Sequence, residues 1–425
     1  MKIKSAFLSA IITSFIITGC GGDSNSSSTA SDLTILKNVT VIDGTNGNPI
    51  IDASIIIKDN KIEAIQASSE SIDKNATVID MTGKYVLPGF IDAHIHLAGD
   101  EETGDGEQLL DNIFKGGVTT VRDMAGNGTA LKTIKTAAES SLVSRPKVYF
   151  SALLGGREFL KNDPRVAPTA GSSTIGEVPW MKFYDTDTNV EELVREAKEF
   201  GVTGLKFYAD ISNELLIAAT EEAEKQGLET WAHAALFTAT PRDVAISGVN
   251  SMSHTDMLAL TDLETLPKYI DVAEFFMMGG ELGNADPNGA ENLELYQTLI
   301  ANDVVLEPTI SPFVAREQGV EKAIRYAKSA YENGVMIGVG TDNDGTVLSE
   351  MKLLMENLGM SESEVIIAAT ANNAKSLGME SSIGTVEVGK VADLVVVSKN
   401  PLLNIDNLST VTHVIKEGKI HEISN

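Results

Sequence analysis

The sequence predicts an α/β protein, a parallel (β/α)8 barrel carrying a small β-sandwich built from both chain ends. Three observations predict it. Between about residues 86 and 379, short apolar β-runs alternate with helical stretches such as 189–200, 213–226 and 320–333, and a repeated strand-then-helix order is the pattern of a parallel barrel. The two ends, 33–85 and 384–420, instead read as short strands split by Asn, Gly and Asp turn clusters, the pattern of a small antiparallel sheet. The 425 residues suffice for a large core, so two domains, or a barrel with an appendage, are expected. The boundaries that follow are a leader at 1–19, a tether at 20–32, the first part of the sandwich at 33–86, the barrel at 87–380 and the second part of the sandwich at 381–425. With 22% charged and 43% hydrophobic residues, the chain has the composition of a folded globular protein.

The leader is set apart by its own pattern. Lys2 and Lys4 precede an apolar run at 6–17 that is short for a membrane span, and Ile17-Thr18-Gly19-Cys20 places small residues before a cysteine. An uncleaved membrane helix fits less well, because a polar, Ser-rich stretch at 21–32 follows at once. This leader resembles a bacterial lipoprotein signal. The resemblance implies cleavage before Cys20 and lipidation of Cys20. With Gly21 and Gly22 following rather than Asp, it also implies an outer-membrane lipoprotein that faces the periplasm or cell surface and touches the membrane through its lipid anchor only. Cys20 is the only cysteine, so the mature chain has no thiol for a disulfide, a nucleophile or a metal. Thirty-three basic residues against 60 acidic ones give a net charge of −27, which argues against nucleic acid as a partner and is explained by a solvated acidic surface.

In chain order, the candidate barrel strands are 89–97, 119–123, 148–152, 204–209, 229–234, 251–255, 304–308 and 336–342. The active site of such a barrel lies at the C-terminal ends of its strands. The first strand ends in His94-Ile95-His96, and two residues apart on a strand project from one face. Such a pair is as readily two satisfied polar residues as a metal pair. Strand four reads Gly204-Leu205-Lys206-Phe207-Tyr208, with Leu205 and Phe207 on the outer face and Lys206 and Tyr208 inward. An inward ammonium has no lone pair and is costly to bury, so Lys206 is either paired with a carboxylate or chemically converted. Strand five supplies His233, strand six His254, and strand eight ends in Gly338-Val339-Gly340-Thr341-Asp342, with glycines leaving room inside and Asp342 of inward parity. His413 and His421 fall in the terminal β-segment and read as ordinary sheet residues. Four histidines, a lysine and an aspartate at the ends of five strands form one candidate constellation.

These residues resemble the amidohydrolase superfamily, in its imidazolonepropionase-like and prolidase-like branch. The resemblance is carried by Pro88-Gly89-Phe90-Ile91-Asp92-Ala93-His94-Ile95-His96, Gly117-Val118-Thr119-Thr120-Val121-Arg122-Asp123, Lys206, His233, His254, Gly340-Thr341-Asp342 and the tail Gly389-Lys390-Val391-Ala392-Asp393-Leu394. It implies a TIM barrel and two divalent metal ions. His94 and His96 would hold the first metal with Asp342, His233 and His254 the second, and Lys206, as an N6-carboxylysine, would bridge both. Oxygen and nitrogen ligands without sulfur suit zinc. The chemistry implied is attack of a metal-bridging hydroxide on a C–N amide bond, with Asp342 moving the proton from the nucleophile to the leaving amine. Tyr208 is a candidate donor to the carbonyl or tetrahedral oxygen, against the alternative of a packed core tyrosine. Imidazolonepropionases proper lack the bridging lysine, so Lys206 points to dipeptidase-like relatives. Those relatives carry a glycine-rich stretch after the lysine, where this chain has Ala209-Asp210-Ile211-Ser212.

Specificity is expected from the loops after strands three and seven, which offer Arg157, Lys161, Arg165, Lys182, Trp180 and Arg316. The expected partner is a small-molecule or dipeptide substrate, with Xaa-Pro and C-terminal basic dipeptides as the first to try. Other readings are a cyclic amide, lactone or phosphotriester at the same site, and a non-catalytic solute- or metal-binding lipoprotein. The oligomeric state stays open, a homo-oligomer included.

Overall fold

The computed structural model describes residues 33–71, 73–140, 144–269 and 282–424. The expected leader, tether and lipidated Cys20 lie outside the described residues. Five strands open the chain: β1 (Leu33–Val41), β2 (Ile50–Lys58), β3 (Lys61–Ala67), β4 (Thr77–Asp80) and β5 (Tyr85–Pro88). Then come β6 (Phe90–Ile95), β7 (Val118–Asp123), β8 (Lys147–Gly155), β9 (Glu177–Val178), β10 (Met181–Phe183), β11 (Gly204–Phe207), β12 (Glu229–His233), β13 (Ser251–Ser253) and β14 (Val305–Glu307). The chain closes with β15 (Leu394–Val397), β16 (Val411–Lys416) and β17 (Lys419–Glu422).

The two ends do join, but their sheet differs from the expected antiparallel sandwich. It is one hydrogen-bonded sheet of order β17-β16-β15-β5-β1-β2-β3, with β4 beside β1. It is also mixed, because β1 runs parallel to both β4 and β5. The cause lies in β1: its first half pairs with β4, its last two residues pair with β5, and its register on β2 shifts on either side of Val39, next to Asn38 at φ 62°. Such an irregularity bends a strand. The sheet's apolar face gathers Leu36, Val41, Ile55, Ile57, Val86, Leu394, Val396 and Ile415 into its own core. Gly89 alone separates β5 from β6, where a Cβ would come within 2.2 Å of the Thr119 hydroxyl oxygen.

The barrel strands run parallel in the order β6-β7-β8-β11-β12-β13-β14. Their outward residues, such as Leu205 and Phe207, pack with helix residues such as Leu193, Val194 and Ala197 in one large core. The helices begin and end where the sequence provides caps. Asn189 accepts from Glu192 N at the start of Val190–Phe200, Ser212 accepts from Leu215 N at the start of Asn213–Gln226, and Gly201 and Gly227 end the two in left-handed conformation.

The eighth expected strand, 336–342, is not a regular strand. It touches β14 through a single bridge, Leu306 to Ile337, and meets β6 through Ala93 N to Val339 O (3.1 Å) and Asp342 N to His94 O (2.8 Å). The reason is a side chain wedged into the ladder. The Asn373 amide donates to Ile91 O and Val339 O, at 2.7 and 2.8 Å, and its oxygen accepts from Val339 N at 2.9 Å. A seven-strand barrel is thereby almost closed, and the eighth segment still delivers Asp342 beside His94. The expected room at the glycines is used, since a Cβ at Gly340 would lie 2.4 Å from the His94 Cβ.

Candidate metal centre

His94, His96, Lys206, Tyr208, His233, His254 and Asp342 all line one cavity of about 620 Å³ at the C-terminal ends of the strands. The structure thus brings together every predicted site residue among those it describes. His94, His96 and Asp342 are the closest set, with one ligand atom from each lying within 4.8 Å of the others. His96 Nε2 is 3.0 Å from Asp342 Oδ1, and His94 Nε2 is 3.8 Å from the same oxygen. The remaining imidazoles adjoin them, His94 to His254 at 5.1 Å and His233 to His254 at 4.7 Å between ring centroids.

Ring orientation follows from what each Nδ1 meets. His96 Nδ1 faces the Ala125 carbonyl at 3.1 Å, which only accepts, so Nδ1 carries the proton and Nε2 is left to the cavity. His254 Nδ1 lies 2.8 Å from the Thr309 hydroxyl, which donates to the Pro308 carbonyl, so this ring too presents Nε2. Thr309 is fully buried at φ 49°, and His254 itself sits at φ 71°. Left-handed backbone at a β-branched residue is strained, and strain of this kind collects where a side chain must be aimed. Asn343 fastens the first and eighth segments together, accepting from His96 N at 2.8 Å and donating to His96 O at 2.5 Å.

Burial sets the charges. It pushes His94 down to about 4 and His233 and His254 well below the ordinary imidazole range, in each case helped by the Lys206 charge, so these rings are neutral and have a lone pair to give. For His96 burial is outweighed by the Asp342 carboxylate, and its affinity for a proton rises. Burial pushes Asp342 up, but the hydrogen bond to His96, with the other imidazoles clustered around the carboxylate, holds it well below the usual carboxylate range. Lys206 is fully buried, and desolvation brings it down to about 7. Its only described polar contact is with the Ser253 hydroxyl at 2.9 Å, and among the described residues no carboxylate lies within salt-bridge distance. The alternative of a carboxylate-paired lysine is therefore not what the structure shows. Tyr208 stacks on Phe159 at 4.9 Å and lies 4.0 Å from the His233 ring, with burial keeping its hydroxyl protonated and a donor.

Sequence reasoning missed part of the support. Arg122 and Glu307 form a fully buried ion pair directly beneath His94, and Glu307 stands in an otherwise apolar strand, which was the available signal. Of the five candidates in the loop after strand three, Arg165 alone reaches the cavity, and Asp163 neutralises it through contacts of 2.9 and 2.5 Å. Arg157 pairs with Asp185, Lys182 with Glu196, Lys161 lies 5.7 Å from the Phe183 ring, and Trp180 is a buried donor to Thr169 O. Arg316 does line the cavity. His413 and His421 stay in β16 and β17, as expected, with His421 meeting Ser144 and the edge of Phe114.

A parallel barrel that gathers imidazoles, a carboxylate and a buried lysine at its strand ends defines a class, the metal-dependent barrel hydrolases. The chain belongs to the Amidohydrolase family, whose sequence pattern matches residues 85–421. It is 24% identical to an ochratoxinase from Aspergillus niger, covering 88% of this chain and 84% of that protein, and 25% identical to an imidazolonepropionase from Thermoanaerobacter pseudethanolicus, covering 87% and 88%. A crystal structure of a Xaa-Pro dipeptidase with methionine bound in its active site superposes with a TM-score of 0.70 at 24% identity, over 92% of this chain and all of the other. The protein is a hydrolase of carbon–nitrogen bonds from a metal-dependent family.

Proposed function

We propose that this protein cleaves a peptide-like amide bond with two divalent metals, held by His94, His96 and Asp342 on one side and His233 and His254 on the other, with Lys206 bridging them as a carbamate. The observation that carries this reading is the buried Lys206, with no described carboxylate within salt-bridge distance, among imidazoles in one cavity. The donor set fits such metals, because His94, His233 and His254 are held in the ligand form and Asp342 is anionic. The metals, zinc suiting the set best, would supply an acidified water and a polarised carbonyl.

The chain's own groups account for the rest. A lysine held near 7 has much of its amine unprotonated at neutral pH, the state in which it adds carbon dioxide, and the product is an oxygen ligand in place of a cation. Asp342 is ionised and can accept a proton from the attacking water, then return it to the leaving amine. Tyr208, a protonated donor in the cavity wall, supports the substrate carbonyl or the oxyanion that develops there. Phe237, Phe313, Met257 and Leu260 make much of the cavity apolar, and Arg316, 3.8 Å from Asp344 and largely exposed, adds a guanidinium. That lining favours a peptide-like substrate with an apolar side chain and a free carboxylate, a chemistry in keeping with relatives named for ochratoxin and Xaa-Pro dipeptides.

The test is a screen of N-acyl amino acids and dipeptides, Xaa-Pro and C-terminal basic ones included, with metal counted in the same sample. About two equivalents of metal per chain and release of a free amino acid are expected. In the same assay Asp342→Asn is expected to lower turnover by about 10²–10⁴-fold. Near-parental turnover in that variant would refute the proton-transfer role.

A further inference from the structure

Beneath the cavity floor lies a charged pair that the reaction as described does not use. Arg122 and Glu307 are both fully buried and joined through Arg122 Nη2 and Glu307 Oε1. A buried ion pair is expensive to desolvate and contributes little net stability against an apolar replacement, so its place in the barrel interior calls for another reason. Its surroundings supply one. Arg122 Nε donates to the carbonyl of Ala93, the residue before His94, at 2.6 Å, and its Nη1 reaches Ser251 Oγ and both oxygens of Ser376 at 3.3–3.4 Å. The guanidinium also stacks 4.6 Å from the Trp231 ring. Arg122 is therefore held rigidly and in turn holds Glu307.

The second oxygen of Glu307 is left over. Glu307 Oε2 and His94 Nδ1 are both buried without a hydrogen-bond partner, and they face each other at 3.6 Å, just beyond hydrogen-bond length. Two unsatisfied buried groups of complementary type are costly, and each would be satisfied by a small rotation of the imidazole towards Glu307. The same ring atom already meets an acceptor in His96, through Ala125, and in His254, through Thr309. Arg122 donates to Glu307 from one side, so Glu307 serves as an acceptor, and the partner its second oxygen calls for is a protonated Nδ1.

We propose that Glu307, held by Arg122, is the positioning residue for His94: it accepts from Nδ1–H, fixes the tautomer that turns Nε2 to the cavity, and closes its 3.6 Å gap as His94 takes up metal. Arg122 thus fixes His94 twice, at its backbone through Ala93 and at its ring through Glu307. The proposal rests on the metal-site reading above. Outer carboxylates on metal-binding histidines strengthen metal binding, and their loss costs about 10–100-fold in affinity.

The experiment measures metal affinity by chelator competition, together with the visible spectrum of the cobalt-loaded protein, for the parent, Glu307→Gln and the double variant Arg122→Met with Glu307→Gln. The double variant removes both charges, so the fold does not have to keep an unpaired Arg122. Asp393→Asn, in the terminal sheet, controls for a loss of stability alone. A roughly 10–100-fold loss of affinity for one of the two metals with an altered cobalt spectrum in either folded Glu307 variant, and parental binding in Asp393→Asn, is the expected result. Parental affinity and spectrum in a folded Glu307 variant overturn the proposal while leaving the metal-site reading intact. A parent that binds no metal overturns that reading, and the positioning role with it.

Discussion

Among the described residues two lysines are buried, one in the barrel interior and one in the terminal sheet, and they are kept in opposite ways. Lys416, at the end of β16, lies 3.1 Å from Asp393 Oδ2 and 3.3 Å from Oδ1, an ion pair that the Glu417 backbone amide completes by donating to Asp393 at 2.6 Å. Lys206, in β11, has a serine hydroxyl and no described carboxylate within salt-bridge distance. A buried lysine is thus no sign of function by itself. What separates the two is the direct ion pair: Lys416 is a satisfied structural group, whereas Lys206 feels Glu307 and Asp342 only from beyond salt-bridge distance and is left in a state that favours conversion into something other than an ammonium. The surroundings agree, since the terminal sheet encloses an apolar cluster while the barrel interior adds four imidazoles, Asp342 and the Arg122–Glu307 pair.

Exchanging each lysine for methionine should break the symmetry most strongly. Lys416→Met strands Asp393 and is expected to cost about 3–5 kcal/mol of unfolding free energy, read from urea denaturation, with metal content unchanged. Lys206→Met removes an unpaired buried amine, so the metal-free protein should be as stable as the parent or more so, while bound metal and turnover fall. Equal destabilisation by the two substitutions would end the distinction.

A smaller effect, in the pH dependence of the metal-free protein, sharpens the same contrast. The folded state holds Lys206 at about 7, below its unfolded value of 10.5, so above pH 7 the unfolded chain binds a proton that the folded one does not, and stability rises with pH. Between pH 7 and 9.5 this amounts to about 3 kcal/mol. It should vanish in Lys206→Met and persist in Lys416→Met. A second window belongs to His94, lowered to about 4, whose contribution is lost as pH falls from 6.5 towards 4. His96, shifted upward by Asp342, acts with the opposite sign in a separate window above pH 6.5, where its contribution is lost as pH rises.

The parts of the site that sequence reading reached are those where a polar residue interrupts an apolar strand: His94 and His96, Lys206, His233, His254 and Asp342 all stand out in this way. Glu307 carried the same signal at the end of Val304-Val305-Leu306 and was passed over. Arg122 was noticed only as part of a motif. Asn343, Asn373 and Thr309 had no signal of that kind. Their roles depend on backbone groups as far as 282 residues away in the chain, as when Asn373 donates to Ile91 O, and no local period encodes such a contact. The terminal sheet shows the same limit. Its strands were legible from turn residues and alternation, but the parallel pairing of β1 with β4 and β5 is a matter of register across the sheet, which short strands specify weakly. In a chain of net charge −27 a cation in a long loop finds an acidic neighbour readily, as Arg157, Arg165 and Lys182 do.

The account turns on what Lys206 becomes. Carbon-13 NMR of the metal-loaded protein equilibrated with ¹³C-labelled bicarbonate addresses it directly. One carbamate carbon per chain is predicted in the parent and in Lys416→Met, and none in Lys206→Met. A metal-loaded parent with no carbamate signal, or one whose signal survives the loss of Lys206, would contradict the assignment of Lys206 as the carbamate bridge.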